Sequence, residues 1–328
     1  MADRIRWGIL GTGRVSAKFV EGLHNAPGAE VRAVGSRSPE TAKAFADRFE
    51  IPVRHVSYED LAGDPSVDVI YVGTPHSCHY RDTVLASQSG KPVLVEKPFM
   101  LNAAQAEGAV ALARDKKVFL MEAMWTRFLP LMEGLRGLLH DHVIGELHLL
   151  SADLGIRRTP ESRPRLFDLS LGGGALLDTG VYPVSLSSLL LGVPERIVSM
   201  AKIGSYGVDE RAAMLFEFRG GALAVLYCAI RTETPKEAML MGEMGHIRLH
   251  ANFVHPTQLT LTLNEGAERV MLFPMEGNGL QYEAVEVMRC LREGCLESPR
   301  MPLDESVSIM RTLDEIRAQW GLKYPGES

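Results

Sequence analysis

The sequence predicts a two-domain α/β protein: an N-terminal doubly wound parallel sheet followed by an α+β domain on a large, mostly antiparallel sheet. Three observations predict it. The chain has 328 residues, and at roughly 150 residues per domain that suggests two domains. Its first third alternates strand-like and helix-like runs, which calls for a parallel sheet because parallel neighbours need crossover connections. After Trp125, strand-like runs follow one another across short turns such as Arg219-Gly220-Gly221 and Asn264-Glu265-Gly266, as hairpins do.

The elements follow in order. Residues 5–10 read as a short buried strand, and helical spacing then runs through Val15, Phe19, Val20 and Leu23 to a stop at Pro27-Gly28. A second strand spans Val31 to Gly35, and Ser38-Pro39-Glu40 opens a helix as an N-cap with proline in the first turn. Strands are expected at 53–56, 67–73, 93–96 and 118–121, with helices near 76–89 and 102–115. The first domain is expected over 1–123 and the second over 124–328. The second should hold helices near 127–140 and 175–190 and a strand over 146–156. Further strands are expected at 196–204, 211–219, 222–231, 237–250, 258–264 and 269–273. Two closing helices lie near 279–293 and 304–320, the last capped by Asp304.

Composition narrows the function. Hydrophobic residues make up 46% and charged residues 23%, with 35 Lys plus Arg against 41 Asp plus Glu. This is the balance of a soluble protein with real cores. A net charge of −6 without basic runs argues against a nucleic-acid binder. No uninterrupted apolar stretch approaches the roughly 18 residues of a bilayer span. The N-terminus enters a strand without a signal-peptide core, and four scattered cysteines fit neither a disulfide framework nor a zinc knuckle. A cytoplasmic protein with no membrane partner is expected.

Gly11-Thr12-Gly13-Arg14-Val15-Ser16 directly follows the first strand and opens the first helix, the context a dinucleotide fingerprint requires. The first glycine permits the tight turn, the second lets the backbone approach a pyrophosphate, and the helix N-terminus offers free N–H groups. The first domain therefore reads as a Rossmann fold. The second strand ends Val34-Gly35-Ser36-Arg37-Ser38 with no acid at its tip. A carboxylate there would hold the ribose of NAD and repel a 2′-phosphate, whereas Arg37 can bind that phosphate. The charge logic favours NADP over NAD.

In such a sheet, ligands sit beyond the carboxyl ends of the strands. Two of these tips carry Gly73-Thr74-Pro75-His76 and Glu96-Lys97-Pro98, so Thr74, Pro75, His76, Glu96 and Lys97 are expected around the nicotinamide half of the cofactor. Lys97 is either ion-paired with Glu96 or a cation that lowers the pKa of a proton acceptor or substrate hydroxyl. His76-Ser77-Cys78-His79 has ligand-type side chains, but no matching cluster elsewhere; His76 and His79 should line the crevice or satisfy the helix terminus, with no metal. In the second domain, Gly172-Gly173-Gly174-Ala175-Leu176-Leu177-Asp178-Thr179-Gly180-Val181-Tyr182 lets a helix begin close to another backbone or a ligand. Asp178 and Tyr182 are four apart and share a helix face. A carboxylate and a phenol aimed at one spot can bind and deprotonate a hydroxyl, provided a cation lowers the phenol's pKa from about 10. A packed Tyr and a helix-end Asp are the alternative.

Together these motifs, with Glu122-Ala123-Met124-Trp125-Thr126-Arg127 and Arg311-Thr312-Leu313-Asp314-Glu315-Ile316, resemble the glucose-fructose oxidoreductase/inositol dehydrogenase family. Within it the chain is most similar to the diol and xylose dehydrogenase branch, over essentially its whole length. The resemblance implies a Rossmann domain followed by a domain whose open sheet forms an oligomer interface, giving a homodimer or homotetramer. It implies proton transfer by Lys97 with the Asp178/Tyr182 pair, Trp125 and Arg127 near the nicotinamide or substrate, and Arg165 reaching the pocket. Many relatives carry His where Tyr182 stands, which leaves open whether Tyr182 or Lys97 is the immediate acid/base. Thr41 stands where some relatives have a second phosphate-binding arginine. The expected reaction is hydride transfer between NADP(H) and a CH–OH carbon of a sugar, cyclic polyol or trans-dihydrodiol. Its alternatives are reduction of a keto- or anhydro-sugar, and non-catalytic NADP(H) sensing.

Overall fold

The computed structural model describes residues 4–266 and 268–327. The first sheet is formed by β1 (Ile5–Leu10), β2 (Ala29–Gly35), β3 (Val53–His55), β4 (Val69–Val72), β5 (Val93–Glu96) and β6 (Leu120–Ala123), alternating with α1 (Arg14–Leu23), α2 (Pro39–Phe49), α3 (Tyr58–Gly63), α4 (His79–Gln88) and α5 (Ala103–Lys116). All its pairings are parallel, in the order β3-β2-β1-β4-β5-β6. The order reverses between β1 and β4, and an α/β sheet binds its ligand at such a switch point.

The sequence explains these elements. Every residue of β4, β5 and β6 is buried, as in a sheet covered on both faces. Ser38 caps α2 by accepting from the Thr41 amide at 3.3 Å, with Pro39 in the first turn, and Asn102 caps α5 through the Gln105 amide at 2.9 Å. Under the sheet, Phe19 stacks on Tyr71 at 3.8 Å and Trp7 meets Phe19 edge-on. Helix α3 is absent from the sequence expectation, although Ser57 accepting from the Asp60 amide is an N-cap of the ordinary kind. The strand expected at 118–121 lies at Leu120–Ala123, which brings Glu122 into the sheet.

The second sheet follows α6 (Pro130–His140). It contains β7 (Leu147–Gly155), then, after α7 (Val181–Leu191), β8 (Pro194–Ile203), β9 (Asp209–Phe218), β10 (Leu223–Ala229), β11 (Ala238–Gly242), β12 (Gly245–Leu249), β13 (Gln258–Leu263) and β14 (Arg269–Leu272). The order is β14-β13-β12-β11-β7-β10-β9-β8, antiparallel except for the β7–β10 pair. The single strand expected over 237–250 is instead a hairpin, β11 and β12, turning at Glu243-Met244 between two glycines. Its turn amides bond back to Glu146 and Ile144 carbonyls, and a Cβ on Gly242 would lie 2.3 Å from the Ile144 oxygen. Strand β9 alternates cleanly, with Ala212, Met214, Phe216 and Phe218 buried. The run Leu169–Leu191 is long and apolar enough to cross a bilayer by length and composition. Its most apolar window is 67% buried, as a core helix would be.

Helices α8 (Gln281–Arg292) and α9 (Leu303–Ala318) close the chain. Asp304 lies inside the first turn of α9 rather than capping it. The chain divides into two compact units, one of residues up to Phe128 with Glu276–Val307, the other of Leu129–Met275 with the residues from Ser308 onward. This differs from the linear division at 123/124, because segment 276–307 returns to the first unit. Asn278 donates to the Lys18 carbonyl at 2.7 Å, Ser306 donates to Glu122 at 2.8 Å and Arg127 pairs with Glu305 at 2.7 Å.

Candidate active site

Within the first unit, a cavity of about 400 Å³ lies at the switch point, lined by the β1–α1 turn, the tip of β2 with Thr41 and Tyr58, and Gly73-Thr74-Pro75 after β4. Gly11 has φ of +97°, and a Cβ there would lie 3.2 Å from the Gly73 carbonyl oxygen. Glycine is thus required both for the turn and for the closeness of two strand tips. Gly13 sits at the N-cap of α1 with no side-chain cap, so the first amides of that helix point out as phosphate donors. Ser16 fills the fingerprint's third small position: it is fully buried, and a Cβ on Gly73 would come within 2.4 Å of its hydroxyl. A larger residue at 16 would push α1 off the sheet.

At the β2 tip the Ser36 and Thr41 hydroxyls are 2.6 Å apart, and the Arg37 guanidinium lies 6.0 Å from the centre of the Tyr58 ring. Hydroxyls and a cation, with no acid among the residues that line the cavity, suit a phosphate monoester. Tyr58, on the helix that the sequence reading missed, joins the expected lining of Ser36, Arg37 and Thr74.

The tips of β4 and β5 separate exposed from structural roles. From Val93 to Leu101 every residue is buried except Lys97. Glu96, expected beside the cofactor, instead faces the interior and accepts from the Tyr71 hydroxyl at 2.6 Å. Near it, Glu283 of α8 is fully buried, and burial together with the Glu96 charge pushes its carboxyl well above the usual range. His79 is fully buried with its ring nitrogens 2.9 Å from the Pro98 carbonyl and 3.0 Å from the Thr74 carbonyl. It straps the two strand tips together rather than lining the crevice. His76 is 4% exposed. Among the described residues no group of His, Cys, Asp and Glu could hold a metal.

After β6, Trp125 is half-buried, whereas Arg127 is buried and bonds Glu305. Arg127 was expected near the ligand; its guanidinium lies inside the unit instead, where a buried cation requires a partner. Glu122 is buried as well. It accepts from the Phe99 amide at 3.0 Å and from the Ser306 hydroxyl at 2.8 Å, and burial pushes its carboxyl up to about 7 against the pull of Ser306 and Arg127.

The second unit builds its part around the glycine run. A Cβ on Gly173 would meet the carbonyl oxygens of Leu166, Arg165 and Asp168 at 2.7–2.8 Å, and one on Gly174 (φ +118°) would lie 2.0 Å from Asp209. The Asp209 carboxyl, carried by β9, accepts from the Leu176 amide at 2.6 Å and is pushed up to about 7 by burial. It fixes the start of a π turn, Leu176–Gly180, a winding frequent at functional sites. From Gly172 to Ser187 every residue is buried except Asp178 and Tyr182, the two expected to share a face. Arg165 donates to Asp178 at 2.6 Å, a pairing that sequence spacing did not foretell.

Residues 5–124 match the family described as "Oxidoreductase family, NAD-binding Rossmann fold", and residues 132–248 match "GFO/IDH/MocA C-terminal domain". The chain is 37% identical over 332 residues to a trans-1,2-dihydrobenzene-1,2-diol dehydrogenase from Xenopus tropicalis, covering 98% of this chain and 99% of that protein. The protein of that name from Homo sapiens is 37% identical over 333 residues, with 98% of each covered. A solved structure of KijD10, a 3-ketoreductase from Actinomadura kijaniata in complex with NADP and TDP-benzene, superposes with a TM-score of 0.86 at 26% identity, covering 96% of this chain and 98% of that one. An aldose-aldose oxidoreductase from Caulobacter crescentus shares the fold, with a TM-score of 0.88 at 22% identity over 97% of this chain and 98% of that one.

Proposed function

Because this chain belongs to the GFO/IDH/MocA oxidoreductase family, we propose that it transfers a hydride between NADP(H) and a CH–OH carbon of a sugar, cyclic polyol or trans-dihydrodiol. The observation that carries this reading is the pattern of burial: Lys97 in one unit, and Asp178 and Tyr182 in the other, are the openings in otherwise buried runs of chain. A lysine, a carboxylate and a phenol are the groups needed to bind and deprotonate an alcohol. The diol dehydrogenases among its relatives and the NADP-bound 3-ketoreductase support the choice of reaction and cofactor.

The glycine turn and the α1 amides would hold the pyrophosphate, and Ser36, Arg37 and Thr41 the 2′-phosphate; the left-handed Gly11 (φ +97°) and the hydroxyl- and arginine-lined cavity fit such a group. Bound there, the nicotinamide supplies or accepts the hydride. Tyr182 would take the hydroxyl proton during oxidation and return it during reduction, and Lys97 would supply the cation that such a phenol needs. Asp178, steadied by Arg165, accepts a hydrogen bond from a substrate hydroxyl and orients the reacting carbon. Half-buried after β6, Trp125 would border the ligand. The likeness to a 3-ketoreductase also gives the reductive direction standing.

We place the enzyme in the cytoplasm, where its free cysteines stay reduced, and give it a homo-oligomeric state through the outer face of β8, β9 and β10. There Val198, Leu215 and Val225 lie in register across the three strands, each more than two-fifths exposed, with Met200 at 77% beside them. Incubating the protein with NADP⁺ and a panel of pentoses, hexoses, cyclic polyols and trans-dihydrodiols, while following NADPH absorbance, tests the reaction. Turnover of at least one class is expected. Tight NADPH binding with no turnover in either direction across the panel would favour a sensor instead.

A further inference from the structure

Glu122 is a group that the mechanism above does not use, yet it lies at the junction of three segments that carry it. Strand pairing sets Glu122 beside Val95, two residues before Lys97. From there one carboxyl oxygen accepts from the Phe99 amide, two residues after Lys97, and the other accepts from the Ser306 hydroxyl in α9. Trp125 follows three residues later on the same chain. Glu122 is 0% exposed, as are Phe99 and Met100. A buried carboxyl is costly to retain unless its bonds are needed, and an apolar residue would fill the same space in a sheet interior.

We infer that Glu122 is a positioning residue: by holding the Phe99 amide it fixes the turn after β5 and so the direction in which Lys97 leaves the sheet. The inference rests on the proposed role of Lys97. Without the Glu122 bond the Phe99 N–H is unpaired, the turn relaxes, and the ammonium moves from the reacting hydroxyl. A displacement near 1 Å at such a group costs on the order of 100-fold in rate. Glutamine at this position keeps both contacts, its carbonyl oxygen accepting from Phe99 and its amide donating to the Ser306 hydroxyl.

Steady-state kinetics on purified Glu122→Ala, Glu122→Gln, Lys97→Met and the Glu122→Ala/Lys97→Met double variant test this, each with NADPH binding and a melting temperature. Glu122→Ala should lower kcat roughly 30-fold or more with KM and NADPH affinity within about 3-fold. Glu122→Gln should return kcat to within about 3-fold of the parent. In the Lys97→Met background, adding Glu122→Ala should lower kcat no further. Near-normal kcat in Glu122→Ala, equal losses in the alanine and glutamine variants, or losses that multiply in the double variant would each overturn the inference. Should Glu122→Ala fail to fold, Ser306→Ala releases the other carboxyl oxygen. It should cost about 3- to 10-fold in kcat alone, and an unchanged kcat there overturns the inference too. Near-normal turnover in Lys97→Met would instead sink the functional reading, a separate result.

Discussion

Gly173 and Gly174 show how single residues make room for chemistry. Each of three carbonyl oxygens would meet a Cβ at position 173 within 2.8 Å, and a Cβ at 174 would collide with the Asp209 carboxylate. Backbone atoms cannot step aside as a flexible side chain can. Gly173→Ala should therefore cost about 2–4 kcal/mol of stability, the range of severe overpacking and strain, measurable by urea unfolding. A loss below about 0.5 kcal/mol would mean that the loop of Arg165–Asp168 yields freely. The same scale explains Arg127 and Glu96. Glu96 was expected at the ligand as the neighbour of Lys97, but neighbours on an extended chain point to opposite faces, so Glu96 turns inward to Tyr71 as Lys97 emerges; Arg127, expected there by resemblance, sits in a short helical turn after β6 and pairs with Glu305.

Among the elements, what periodicity and punctuation encode was legible in the sequence. The glycine turn, the Ser38-Pro39 start of α2 and the alternation of β9 mark themselves locally. Helix α3 escaped because six residues hold too little of a helical period, although its Ser57 cap was a usable signal. The hairpin of β11 and β12 read as one strand because two strands of like composition meet at a two-residue turn. The shift of β6 by two residues hid the place of Glu122 inside the sheet, and its contacts with Phe99 and Ser306 span 23 and 184 residues of sequence. No local pattern carries such distances. The apolar alternation of β9 and β10 was visible, and its outer half makes a prediction. Leu215→Glu, at the centre of the exposed row with Val198 and Val225, should shift the protein from dimer or tetramer to monomer by light scattering. An unchanged molar mass would contradict the proposed interface.

Across the whole molecule, two fully buried carboxyls from different units, Glu122 and Asp209, are each pushed up to about 7 from ordinary values of 4.5 and 3.8. The folded state therefore holds more protons than the unfolded chain between about pH 4 and pH 7, and these two groups make stability fall as pH rises through that window. Asp209→Asn should flatten this fall, read as the urea midpoint at a series of pH values; an unchanged slope would show that Asp209 does not titrate there. Under the proposed mechanism Lys97 and Tyr182 would serve the same proton transfer. Turnover of Lys97→Met, Tyr182→Phe and the double variant, under saturating NADP⁺ and the best substrate, tests this most directly. Each single change should lower kcat by about two to four orders of magnitude with NADPH affinity nearly unchanged, and the double variant should be little worse than either. Near-normal kcat in either single variant, or losses that multiply in the double, would contradict it.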